Sequence, residues 1–464
     1  MTATGVDRRR LLQAGAAGLW APHWPLRAQG PPLAYGLLVG NTSYKPSDEN
    51  LPPARKCIAD LEQRLKRFGF VTVALHDPTV AQVQAELDKL QRAVSANAGT
   101  AGVFYFVGHG FQSNAENYLV PAGGDLQAAP AQLAKTCISL EREVFTRLKR
   151  NAGPAATVIM VDTCRTPDRP RSPTEGYNQT MPPDGCHVAF ATGPGKRAFA
   201  PNDPQRYTLF AEALVAELDA SPPSRSVLLT LESVRVKVAR KVNSIDTIVR
   251  AFGRNAQEPE LASNVTGDPQ WVVGAGVASA PAARPTADSP PVVVPAGDAS
   301  PARAELDATR DLASPDEAIT RLKDLLQKLP EGSELNDIAQ LRLKSLETVL
   351  SAARTARLNL DVSQLVAGRP PRFAEDVQRA LRGDKYAALR VAEAIGRPGG
   401  TELIERTDYG RWMIFSAYLG NGIAAYRLSE YFRNVDRRDA EASRFLGLAR
   451  ANNYTPPRQL ETGR

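Results

Sequence analysis

Gly102-Val103-Phe104-Tyr105-Phe106-Val107 runs directly into Gly108-His109-Gly110, and Ala156-Thr157-Val158-Ile159-Met160-Val161 runs into Asp162-Thr163-Cys164-Arg165. Both runs are short, continuously apolar and rich in β-branched and aromatic residues, the pattern of strands buried on both faces of a parallel sheet. Parallel strands end on one rim, and open α/β sheets hold their ligands at that rim. Neighbouring strands lie about 4.8 Å apart. A histidine and a cysteine distant in sequence are therefore expected in one crevice. An imidazole beside a thiol is an arrangement for nucleophilic catalysis.

The surrounding pattern extends the sheet. Strands are predicted at Leu33–Val39, Phe70–Leu75, Gly102–Val107, Ala156–Val161 and His187–Ala191, with a sixth at Trp271–Gly274. Ala54–Phe68, Val80–Ala96, Glu141–Leu148 and Thr208–Leu218 carry apolar residues at helical spacing. Alternation of this kind predicts an α/β fold with a mostly parallel sheet covered on both faces. The expected unit runs from 31 to 275. An Ala/Pro-rich linker follows over 276–302, and then an α-helical region over 303–464. Ser314-Pro315-Asp316-Glu317 marks one helix start there.

That helical region contains a repeat. Gly383-Asp384-Lys385-Tyr386-Ala387-Ala388-Leu389-Arg390 recurs as Gly420-Asn421-Gly422-Ile423-Ala424-Ala425-Tyr426-Arg427, with Glu393 and Glu430 in register. Helix-turn-helix units are expected over about 383–455. They resemble the SEL-type branch of the tetratricopeptide superfamily, a protein-interaction module, and an ordinary helical bundle is the alternative.

Composition narrows the function. At 464 residues the chain calls for two or three structural units. Four cysteines (Cys57, Cys137, Cys164, Cys186) and four histidines show no metal-ligand spacing, so no metal or cofactor is expected. The formal charge is +7. Part of it lies in the first thirty residues, and the rest is unclustered, which gives no footprint for nucleic acid. Asp7-Arg8-Arg9-Arg10-Leu11-Leu12-Gln13 matches the twin-arginine export pattern. The apolar stretch behind it is far below the roughly 20 residues that span a bilayer. A periplasmic or secreted location is expected, with no transmembrane segment.

Several blocks between Tyr35 and Trp271, about half of the chain, resemble the caspase-like cysteine peptidases in their metacaspase and orthocaspase branch. They are Leu38-Val39-Gly40-Asn41-Thr42-Ser43-Tyr44, Leu65-Lys66-Arg67-Phe68-Gly69-Phe70, Phe104 to Gly110, Asn117-Tyr118-Leu119-Val120-Pro121, Val161 to Arg165, Ala191 to Lys196 and Gln257-Glu258-Pro259. The resemblance implies a caspase-like three-layer fold and a cysteine endopeptidase acting on protein or peptide substrates. It implies Cys164 as nucleophile, His109 as its acid/base partner, and the amides of Gly110 and Cys164 as oxyanion donors. It also implies cleavage after Arg or Lys, with Asp162 as one acidic residue of the binding pocket. The second acidic position aligns with Cys57, and the nearest acid is Asp60, a departure from the family pattern.

Other readings of the same residues stay open. A cysteine ending a core strand is often a small hydrophobe, and His109 reads equally as a structural strand-end histidine. Asp162 reads as a turn cap. A catalytically silent scaffold that recruits partners through its helical repeats is the alternative function. Cys186-His187 is set aside as a dyad, because consecutive strand residues face opposite ways. Cys186 is left as a disulfide candidate with Cys57 or Cys137, and His76-Asp77, ending the second strand, reads as a turn or surface feature.

Overall fold

The computed structural model describes residues 34–150, 153–163, 178–271, 300–312, 314–397 and 403–456. Among them are nine strands: β1 (Ala34–Gly40), β2 (Val71–His76), β3 (Ala101–Val107), β4 (Gly110–Ser113), β5 (Glu116–Leu119), β6 (Ile138–Ser139), β7 (Thr157–Asp162), β8 (Cys186–Phe190) and β9 (Glu260–Ser263). The main sheet has the order β2-β1-β3-β7-β8-β9, parallel throughout except for β9. Every residue of β1, β3, β7 and β8 except Tyr35 is buried, as expected of strands covered on both faces.

Side-chain alternation divides the core into two layers. Leu37, Phe104, Phe106, Ile159, Val161 and Val188 pack on α2 (Val80–Ala96) and on the helical segment over Leu140–Leu148, where a helix was expected. Leu38, Val103, Tyr105, Val158 and Met160 pack on α1 (Ala54–Arg67), α3 (Leu209–Ala220) and α4 (Val227–Asn243). The mostly parallel α/β/α sandwich expected from the sequence is thus the observed fold. Cys186 lies in the first layer while Ala189 faces the second, so His187 points away from Cys186 as the strand period requires.

The sixth strand is elsewhere than expected. Trp271 is a buried core residue whose indole N–H donates to Thr230, and it is not in a strand; residues 272–274 lie outside the described residues. The edge position is taken by β9, antiparallel to β8. A second sheet, β4-β5-β6, was not anticipated. Its hairpin turns through Asn114 and Ala115, both at positive φ (51° and 68°). That turn suits right-twisted strands but lacks the Asn-Gly signature that would have announced it.

Beyond residue 299 the described chain is helical: α5 (Pro301–Ala308), α6 (Pro315–Lys328), α7 (Glu334–Ala356), α8 (Pro371–Ala380), α9 (Lys385–Ile395), α10 (Asp408–Tyr418), α11 (Gly422–Asn434) and α12 (Asp439–Ala451). Pro301 already opens a helix inside the stretch expected as linker, and 272–299 lie outside the described residues. Ser314 caps α6 by accepting from the Glu317 amide. In the repeat, Gly383 and Gly420 adopt φ of 98° and 95°, and the following Asp384 and Asn421 cap α9 and α11 identically, each accepting from two backbone amides. No helix among the described residues is long and apolar enough to cross a membrane.

Candidate active site

β3 and β7 are adjacent and parallel, and their last paired residues are Val107 and Asp162. Beyond this pair the Gly108 amide donates to the Asp162 carbonyl at 3.3 Å. His109 and Cys164 each stand two residues past the paired ends. Cys164, the expected nucleophile, lies outside the described residues.

His109 is held from three sides. Its backbone N–H donates to the Tyr44 hydroxyl at 3.0 Å, and its carbonyl accepts from the Val120 amide at 3.0 Å. Its ring packs edge-on against Tyr44, with centroids 4.6 Å apart, and its Nε2 lies 2.8 Å from the Glu49 carbonyl. A carbonyl only accepts, so Nε2 carries the proton and Nδ1 is left with the lone pair. The sequence showed no orienting carboxylate for His109. The orienting group is a main-chain oxygen, which no side-chain pattern could reveal.

The loop that supplies Glu49 and Tyr44 is itself tied down. The Asp77 carboxylate accepts from the amides of Thr42 (2.6 Å) and Ser43 (3.2 Å) and from the Thr42 hydroxyl (2.5 Å). Asn50 accepts from the Tyr44 amide at 2.7 Å. His76 is the last residue of β2 and not part of a turn, while Asp77, at φ 49°, bends the chain just after it and anchors the residues around His109. Gly108 is required by close approach: a Cβ there would come within 2.5 Å of the Tyr44 hydroxyl.

Gly110 begins β4 opposite Leu119. The Val120-to-His109 bond marks the neighbouring pair as hydrogen-bonded, and in an antiparallel ladder such pairs alternate. The Gly110 N–H is consequently directed away from β5.

Asp162 is only 2% exposed. Its Oδ2 accepts from the Tyr105 hydroxyl at 2.9 Å and from the Thr208 hydroxyl. Burial outweighs these bonds and pushes its pKa up to about 6. One residue before Thr208, the Tyr207 hydroxyl donates to Asp60 Oδ2 at 2.5 Å, and the Cys57 thiol lies 4.0 Å from the Thr208 hydroxyl. Cys57, Asp60 and Asp162 therefore converge on the Tyr207-Thr208 dipeptide. Asp60 is less enclosed than Asp162 and is paired with Lys56 at 2.6 Å.

The three described cysteines are free and buried, so none forms the disulfide left open for Cys186. Burial pushes the thiols of Cys57 and Cys137 up to about 12, with the Asp162 carboxyl adding to the effect at Cys57, and raises Cys186 further still. These are unreactive thiols at neutral pH.

An α/β/α sandwich with a strand-end histidine, glycines on both sides of it and a neighbouring parallel strand whose sequence runs on into a cysteine is the architecture of a caspase domain. The Caspase domain family matches residues 34–269, just over half of the chain, and the chain belongs to that family. Over 146 residues it is 22% identical to human mucosa-associated lymphoid tissue lymphoma translocation protein 1, a match covering 32% of this chain and 16% of the relative's length. The crystal structure of caspase-1 from Spodoptera frugiperda aligns with 52% of this chain and 92% of its own, at 16% identity and a TM-score of 0.36.

Proposed function

We propose that this chain is a cysteine endopeptidase working through a His109–Cys164 dyad. The carrying observation is the register that ends β3 and β7 together at Val107 and Asp162, two residues before each member. Buried thiols at Cys57, Cys137 and Cys186 support assigning the nucleophile to Cys164.

In this reaction the Cys164 thiol gives its proton to His109 Nδ1, and the thiolate adds to the scissile carbonyl. The amides of Gly110 and Cys164 take the developing oxyanion. Collapse breaks the C–N bond while the imidazolium returns its proton to the departing amine. Water, deprotonated by the same imidazole, then hydrolyses the thioester and regenerates the thiol.

The proposed preference is for Arg or Lys on the acyl side of the cut. Two carboxyl groups gathered at Tyr207-Thr208 support it, Asp60 nearer the surface and Asp162 beneath. A basic side chain entering there displaces Lys56 from Asp60 and gains a charged partner, which in turn favours the ionised form of Asp162.

Turnover of fluorogenic peptides tests the proposal. Arginyl and lysyl substrates are expected to be cut at least a hundredfold faster than neutral ones. Cys164→Ala and His109→Ala abolish cleavage, and Asp60→Asn raises KM more than it lowers kcat. Cleavage that survives Cys164→Ala rules out the dyad. Folded wild-type protein that cuts nothing favours the scaffold reading.

A further inference from the structure

Between the caspase domain and the C-terminal helices lies a cavity of about 510 Å³, whose lining includes neither His109 nor any of the residues that hold it. Its size falls within the range of small-molecule sites. One wall comes from α4 and β9, the other from α6, α7 and α8. Leu228, Leu322, Ile338 and Leu341 give it an apolar body.

Arginines dominate its polar part. Arg342 bonds Glu232 at 2.9 Å, Arg379 bonds Glu375 at 3.0 Å, and Arg235 is paired with Glu258 outside the lining. Arg310 and Arg382 also line the cavity, and neither side chain has an ion pair or hydrogen bond among the described residues. The Arg382 Nε is buried without a partner. Burial, together with the neighbouring Arg310 and Arg379 guanidiniums, lowers the Arg382 pKa against the opposing attraction of Asp311 and Glu375.

Most of the acids nearby are already engaged, and Asp311 attracts Arg382 without pairing with it. Glu232 and Glu375 serve the arginines just named. Asp384 accepts from the amides of Tyr386 and Ala387, and Asp268 accepts from the Ser226 hydroxyl. Asp311 is exposed to solvent. Below the cavity, His187 pairs across the sheet with the lining residue Ser263. Both of its ring nitrogens are buried without a partner, and burial plus the Arg379 and Arg310 charges hold it neutral, with a pKa near 3. The site thus offers two half-buried guanidiniums that have acids nearby but no direct hydrogen-bonded or ion-paired partner among the described residues, set against apolar walls, and their donors are open to an anion that enters the cavity.

We propose that this cavity binds a small organic anion, with Arg310 and Arg382 taking a carboxylate or phosphate head and the leucine-rich wall taking an apolar body. Guanidinium groups suit both heads because they donate two parallel bonds to paired oxygens. The ligand bridges the caspase domain and the helical layer and stabilises their docking by mass action. The inference does not depend on peptidase activity.

The test uses the full chain and four probes: decanoate, decyl phosphate, inorganic phosphate and decanol. Calorimetry is expected to show the amphipathic anions binding at least tenfold tighter than decanol or inorganic phosphate, and either head group satisfies the proposal. Arg310→Gln/Arg382→Gln is expected to weaken anion binding at least tenfold while decanol binding changes less than twofold. Because neither side chain has a hydrogen bond or ion pair to lose, the unliganded Tm of the double variant should stay close to that of wild type, which separates lost binding from lost folding. Decanol binding as tightly as decanoate, undiminished anion affinity in the double variant, or no binding by any probe overturns the proposal.

Discussion

Asp162 shows how one residue can be reached by pattern and still be misjudged in its setting. Its place before Cys164 was legible as the close of an apolar run, but its enclosure was not. The hydroxyls that hold it come from Tyr105, on the neighbouring strand, and from Thr208, 46 residues away. A carboxyl raised from 3.8 to about 6 binds its proton more tightly when folded than when unfolded. Its contribution to stability is therefore complete below about pH 4 and is lost as pH rises towards 6. Asp162→Asn, which cannot ionise, should remove up to about 3 kcal/mol of that decline, at 1.36 kcal/mol per pKa unit. Urea unfolding of wild type and variant between pH 4 and 7 measures the difference. Equal slopes would mean that Asp162 is not held neutral. The Glu49 carbonyl on His109 and the Tyr207 contact with Asp60 were illegible for a related reason, since one is main chain and the other joins residues 147 apart.

At the scale of elements, buried amide side chains help to fix the helical layer to the caspase domain. Gln179 donates to the carbonyls of Gly420 (3.0 Å) and Asn452 (2.9 Å) and accepts from the Gly422 amide (2.8 Å). Asn178 donates to the Thr455 carbonyl and accepts from its amide. Gln179→Ala leaves a buried N–H and two carbonyls unmet. It should cost about 2–4 kcal/mol in thermal or urea unfolding, and a loss under 0.5 kcal/mol would show that the contact does not fasten the layer. Elements with local signals were the ones read correctly. The Asp384 and Asn421 caps with their preceding glycines exposed the repeat, and α2 matched Val80–Ala96, its start fixed by the capping box of Thr79 and Gln82. β9 escaped notice because Glu260-Leu261-Ala262-Ser263 lacks β-branched and aromatic residues. Trp271-Val272-Val273 carries them, and Trp271 is used in the core.

Across the whole molecule, the sheet and the helical region share one continuous apolar cluster, from Leu37 and Phe104 through Val349 and Ala388 to Trp412 and Phe445. The edge strand β9 is closed off by the same helices. Arg390 donates to the Ser263 carbonyl at 3.2 Å, and Lys385 pairs with Glu260 at 2.8 Å. An edge managed in this way is shielded from pairing with other chains. The fold thereby sorts its described cysteines: Cys57, Cys137 and Cys186 are sealed in packed layers, which leaves Cys164, two residues past the end of β7, as the nucleophile of the proposed dyad. The direct test is to treat the folded protein with an arginyl chloromethyl ketone and map the adduct by mass spectrometry. The account predicts a single adduct on Cys164 that is lost in His109→Ala. Modification of any other cysteine in folded protein, or none at Cys164, would contradict it.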